Sequence, residues 1–318
     1  DAGVFALGGR GNNSQLGSKL VVKNGGKFVT EQSNFKTAVD KMISFADGTG
    51  FKITRPTNFG YALDFAGAST WTTQAWADDI LKPLNIVYGP VRLGGLATVS
   101  LNKSTTAGGA SGTEYNTYDI RGPVSGPGGF RVTTGWVILE CPTNTFTGAV
   151  SVEGANSHVR ATSLGAIPAI TNGTVTIKNN ATVEVPMKDA LTPSAENDDS
   201  LLALYRYYPT YLANGSLKIP LDFDYTISKD VDGSSSPMTV PHSGSHTLEL
   251  AGKVTGAKIV NDAGTVRVTG AGPHSLGQMD VHGGEVVFDG CGDVALGTET
   301  HYIGAKYPDL ARLVVSNG

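Results

Sequence analysis

Asp222 and Asp224 alternate about Phe223, a spacing that turns both carboxylates to one side of a β-strand. Carboxylate pairs on a strand face serve glycoside-cleaving enzymes, where their separation sets the mechanism. These two are therefore the candidate catalytic acids of a hydrolase reading. Asp230-Val231-Asp232-Gly233 opens like a calcium loop, with carboxylates at alternate positions and a glycine for the turn. Ser234-Ser235-Ser236-Pro237 follows, and no glutamate stands at the twelfth position. Asp230 and Asp232 thus offer either a weak Ca2+ site, shared with Asp222 or Asp224, or a charged hairpin turn; no other cofactor is expected. His242 and His246 would chelate a metal only from one helix face, and Ser243-Gly244-Ser245 after Pro241 reads as a solvated turn. The segment Tyr205-Arg206-Tyr207-Tyr208, with Tyr211 close behind, carries flat apolar rings with polar tips. Such rings either stack on sugars and anchor a partner protein or pack the segment against the rest of the fold.

The elements that must position these groups are short strands. Forty-two glycines among 318 residues, without a G-X-Y period, serve turns rather than a triple helix. With 16% charged and 40% hydrophobic residues, the chain is neither disordered nor basic enough for nucleic acid. No run of 18 apolar residues supplies a membrane-spanning helix. A Gly-, Thr- and Asn-rich chain of this kind reads as an extracellular β protein. It begins without Met or a signal pattern and stops at Asn317-Gly318, and is expected to be part of a longer parent chain. Cys141 and Cys291 are either one bridge or, as free thiols pack, two separate cysteines.

Four Leu-Gly steps, at Leu16, Leu164, Leu276 and Leu296, each precede an extended stretch and a turn of small residues. Short strands joined by Asn/Gly turns at an irregular recurring period are the mark of a β-solenoid, whose units bury their faces by stacking. Residues 1–32 read as the first solenoid turn. Residues 33–90 read as a partly α-helical insertion. One helix, capped by Ser33 or Asn34, carries Phe35, Ala38, Val39, Met42 and Ile43; a second runs from about Thr72 to Leu81 and ends at Pro83. Trp71 and Trp76 would staple that insertion to the solenoid. Repeats return over 91–185, with an exposed Ser104–Gly112 loop, and are interrupted by an acidic and aromatic loop over 186–240. They resume over 241–318, with His274 and His282 at corners.

The stretch Asp119–Phe130, then Gly135, Val137-Ile138-Leu139, Asn144-Thr145-Phe146-Thr147-Gly148 and Val150-Ser151-Val152 is similar to the autotransporter-associated β-strand repeat. The chain departs from that pattern at Thr134-Gly135-Trp136 and at Gly154-Ala155-Asn156-Ser157. The resemblance implies a right-handed parallel β-helix of the passenger type, from a secreted or bacterial cell-surface protein, with no catalytic residue of its own in the repeats. The expected function is an adhesin-like scaffold presenting loops to a glycan or a surface protein. Two alternatives stand beside it: a polysaccharide- or mucin-degrading hydrolase using Asp222 and Asp224, and a structural protein that self-associates end to end. Leu139 and Val152 are the expected inward residues of the best-matched repeat.

Overall fold

Apolar residues at every second position need a surface to cover them, and here each strand finds it in the strand one turn away. A computed structural model describes residues 3–7, 19–23, 25–30, 34–35, 41–54, 58–73, 84–105, 111–172, 174–186, 195–207, 212–213, 215–235, 238–304 and 311–316. The chain is 53% strand and 6% helix, its parallel sheets stacked as a β-solenoid of about 10 turns in all. It divides into two compact units, one of Asp1–Val183 with Ala213–Ser216 and one of Glu184–Leu212 with Leu217–Gly318.

In the N-terminal unit each turn visits three parallel faces. Face one stacks Val4–Leu7, Lys27–Thr30, Thr49–Ile53, Ser69–Thr73 and Ala97–Ser100. Face two stacks Asn34–Phe35, Asn58–Phe59, Leu84–Val87 and Thr117–Ile120. Face three stacks Lys19–Val22, Met42–Phe45, Ala62–Phe65, Val91–Leu93 and Val124–Ser125. The strand Phe130–Leu139 supplies both of the first two faces, bending at Gly135, whose φ of 92° an L side chain rarely adopts. Val150–Glu153 and Ser157–Ala161 continue them.

Stacking repeats the same inward position from turn to turn, so aromatic rings form ladders. Phe5 lies over Phe28 at 6.0 Å and Phe28 over Phe51 at 6.1 Å, with interplanar angles of 17° and 11°. Phe45 stacks on Phe65 at 4.3 Å. Leu139 and Val152 are fully buried, as their alternation implies.

The C-terminal unit has one face of Tyr225–Ile227, Thr247–Leu250, Thr265–Val268, Gly284–Asp289 and Ala311–Ser316. On the other, Val231–Asp232 and Thr239–His242 both pair with Val254–Asn261, which pairs with His274–Val281. The helix Ala195–Tyr207 belongs to this unit and lies against Thr239–His242. It buries Leu201, Leu202, Leu204 and Tyr205. Asp198 fixes it from within, its carboxylate accepting from the Tyr225 hydroxyl at 2.7 Å and the Ser228 amide at 2.9 Å.

Several expectations need correction. At its described residues the helix expected from residue 33 is replaced by strand: Asn34–Phe35 and Met42–Phe45 are in register with the neighbouring turns. The described strands through this region stack on the solenoid faces. Thr72 and Thr73 close another strand, while 74–81, with Trp76, lie outside the described residues. Trp71 is a core residue of the solenoid itself, fully buried, its indole N–H donating to Ser69 Oγ at 3.0 Å. The expected loop at 104–112 is, in its described part, an antiparallel hairpin of Lys103–Thr105 and Ser111–Tyr115. The expected acidic loop at 196–199 is the first turn of the helix, where negative charge complements the backbone dipole.

Candidate functional site

The described residues singled out by spacing do not form one cluster. Asp222 and Asp224 are exposed in the turn before Tyr225–Ile227, not on a strand. Asp224 Oδ1 accepts the Thr247 amide at 2.9 Å and stands 3.6 Å from His246 Nδ1. Asp230 Oδ1 accepts the Lys253 amide at 2.8 Å, and Asp232 Oδ1 accepts the amide and hydroxyl of Ser234 at 2.9 and 2.6 Å. Those two Ser234 bonds hold the Asp232 carboxyl below the usual range. Both carboxylates serve turns, and among the described residues no group of three or more His, Cys, Asp or Glu could hold a metal. Tyr205 is fully buried, so its ring is core rather than a ligand platform. Arg206 is exposed and Tyr207 ends the helix; Tyr208 and Tyr211 lie outside the described residues. Cys141 and Cys291 are both unpaired.

Three of the histidines bond backbone groups. His274 Nδ1 accepts the Val254 amide at 3.1 Å while Nε2 donates to the Gly270 carbonyl at 2.7 Å. His301 repeats the arrangement with the Met279 amide and the Gly297 carbonyl, each at 3.1 Å. His282 follows its strand and bonds Asp262 at 2.8 Å. His242 is buried, with Nε2 2.9 Å from the His246 carbonyl. Burial disfavours its charged form and lowers its pKa, outweighing the hydrogen bond to the His246 carbonyl, which acts the other way. A folded-state pKa below the unfolded value means the unfolded chain takes up the proton first. The C-terminal unit is therefore expected to keep its full stability above about pH 6.5 and to lose part of it as pH falls below that. Melting curves at pH 7.5 and 5 should show this loss, and His242→Gln should flatten it. An unchanged pH dependence in the variant would assign the loss elsewhere.

A different cluster stands on face two of the N-terminal unit. Outward charges on three other strand pairs follow one diagonal, from a base to the acid two residues beyond its register partner. Arg131, in register with Ser151, bonds Glu153 at 2.9 Å. Lys258, in register with Gln278, bonds Asp280 at 2.6 Å, and Arg267, in register with Val287, bonds Asp289. On face two the same diagonal joins acid to acid. Asp119 is in register with Ile138, and Glu140 lies two residues beyond it.

Arg121 bridges the pair. Its Nε and Nη2 each stand 2.9 Å from Asp119 Oδ2, and Nε stands 3.3 Å from Glu140 Oε2. The Asp119 side chain is only 3% exposed, whereas those of Arg121 and Glu140 are each 37% exposed. Desolvation pushes the Glu140 carboxyl up; the Asp119 charge and a hydrogen bond to Asp119 open to the protonated form act in the same sense, against Arg121 and Arg160. Arg160, on the next strand and in register with Ile138, has a buried Nε without a partner among the described residues; Asp119 Oδ1 is likewise buried and unmatched.

Aromatic groups frame the charges. The Arg121 guanidinium lies 5.5 Å from the centre of the Tyr88 ring. Trp136 and His158, register partners two residues before Ile138 and Arg160, stack at 3.9 Å with an interplanar angle of 3°. The hairpin strand Ser111–Tyr115 packs alongside Phe130–Leu139. Asp119-Ile120-Arg121 and Glu140 fall inside the best-matched repeat, where they read only as repeat positions. Their common face needs the register, and the charged pattern Asp-x-Arg was the signal available. No family model, no curated protein and no solved structure matches this chain.

Proposed function

We propose that this chain is a secreted or cell-surface β-solenoid scaffold, of the bacterial passenger kind that its central repeat resembles, and that face two of its N-terminal unit binds glycan. The observation that supports this reading is the acid–arginine cluster set beside aromatic rings on an outward face. By contrast, Arg131–Glu153, Lys258–Asp280 and Arg267–Asp289 are base–acid pairs. A binding surface needs polar groups that are partly held yet still face solvent, next to apolar ring surface, and face two combines both. The Asp224 carboxylate is taken up by the Thr247 amide and stands beside His246 in an exposed turn, so the scaffold reading is favoured over a hydrolase built on it and Asp222.

Binding of the whole chain to immobilised plant, mucin and bacterial glycans tests the proposal. At least one class should be retained, and Trp136→Ala should weaken it about tenfold, in the range expected for a lost aromatic contact, with an unchanged strand spectrum. Retention unaffected by Trp136→Ala would remove face two from the interaction.

A further inference from the structure

Resting on the reading of face two as a glycan surface, we infer that its ligand is a carboxylated glycan whose carboxylates engage Arg121 and Arg160, displacing Glu140 from Arg121. Arg121 is held unequally. Asp119 anchors it from beneath through two contacts of 2.9 Å to one oxygen, while Glu140 reaches the same Nε at 3.3 Å from the solvent side. A carboxylate arriving from solvent meets the exposed edge of Arg121 where Glu140 now sits, and it offers the planar, two-oxygen geometry that a guanidinium prefers. Glu140 is a weak competitor, because burial and the adjacent Asp119 both favour its neutral form. Displacing it leaves the Asp119 anchor intact.

Arg160 supplies the second cation. Its strand lies two turns from that of Arg121, so the two positions are separated by roughly 10 Å along the stack. A single small anion does not span that interval, whereas a polymer with recurring carboxylates does. The neighbouring rings favour sugar over acidic peptide: Tyr88 lies against Arg121, and the Trp136–His158 stack borders Arg160 on the same strand pair. Pyranose C–H surface packs on such rings while the carboxylates pair with the arginines.

Calorimetric titration of the whole chain with polygalacturonate and polysialic acid, and with neutral galactan and poly-glutamate for comparison, tests the inference. One or both acidic glycans should bind more tightly than galactan and poly-glutamate by about tenfold or more, and the two acidic arms separate uronate from sialate. Glu140→Gln should tighten that binding severalfold by removing the competitor, and Arg160→Gln should weaken it about tenfold while the melting curve stays in place. Should Arg160→Gln fail to fold, Glu140→Gln still decides. Equal binding of galactan overturns the carboxylate assignment and leaves the glycan reading standing. Equal binding of poly-glutamate overturns the choice of glycan over acidic protein. An affinity for the acidic glycans that is absent or unmoved by Glu140→Gln overturns the inference, and retention on the immobilised plant, mucin and bacterial glycans, with its loss in Trp136→Ala, then judges the broader reading separately.

Discussion

Leu139→Asp is expected to unfold the N-terminal unit. Leu139 sits in the core between its register partners Ile120 and Ala161, all three fully buried. Removing the side chain forfeits about 3 kcal/mol of apolar burial and packing. The carboxylate that replaces it has strands above and below and no cation in reach, so its desolvation adds several kcal/mol more or forces it to take up a proton. Thr70→Asp, on an exposed outward position of Ser69–Thr73, should change stability by less than about 1 kcal/mol. Thermal melting followed by circular dichroism separates the two. Equal melting temperatures would mean that the inward and outward faces are interchanged by one residue.

Gly128→Val is expected to cost about 3 kcal/mol or more, through the contact between stacked corners. A Cβ at Gly128 would lie 2.0 Å from the Gly95 carbonyl oxygen, and one at Gly148 would lie 2.3 Å from the Gly128 carbonyl carbon. The obstacle is backbone on both sides, fixed by the Gly128 amide bonding the Leu93 carbonyl at 2.8 Å. Gly154 makes the contrast. Its φ is 98°, but the nearest atom to an added Cβ is 3.7 Å away. Gly154→Ala should therefore cost only about 1 kcal/mol, from backbone conformation alone. Urea titration of the two variants checks the difference, and a neutral Gly128→Val would show that the corners do not stack as closely as described.

How much of this was readable in the residues depends on which interaction decides each element. Alternation placed Leu139 and Val152 inward, because a two-residue period is local and burial follows it. The helix expected from residue 33 failed because Phe35, Met42 and Ile43 also fit short strands. Stacking on adjacent turns, a tertiary effect, decided between the two patterns. The Leu-Gly steps led to the right class although they do not mark one structural position. Leu164-Gly165 lies in a 3-10 turn, Leu276-Gly277 lies inside a strand, and Leu296 ends one. The helix Ala195–Tyr207 was hidden by its acidic opening, which reads as a solvated loop until the dipole is considered.

The functional face was the least legible part. Asp119, Glu140 and Arg160 come together only through the register Asp119–Ile138–Arg160. Turn lengths that vary with corner excursions conceal that register: Thr70 pairs with Thr98, but Arg131 pairs with Ser151. Tyr205 drew attention through its neighbours' composition, yet helical packing turned its ring into the core. Chemistry-bearing residues close in sequence were dispersed to corners, while those about one turn apart were assembled.

Hydrogen exchange of the whole chain, with and without a glycan retained in the binding panel, tests most directly that function resides on face two of the N-terminal unit. Peptides covering Thr117–Ile120, the second half of Phe130–Leu139 and Ser157–Ala161 should exchange more slowly in the complex, with the segments at 205–211 and 222–224 unchanged. Protection confined to those two segments, with none across face two, would contradict it.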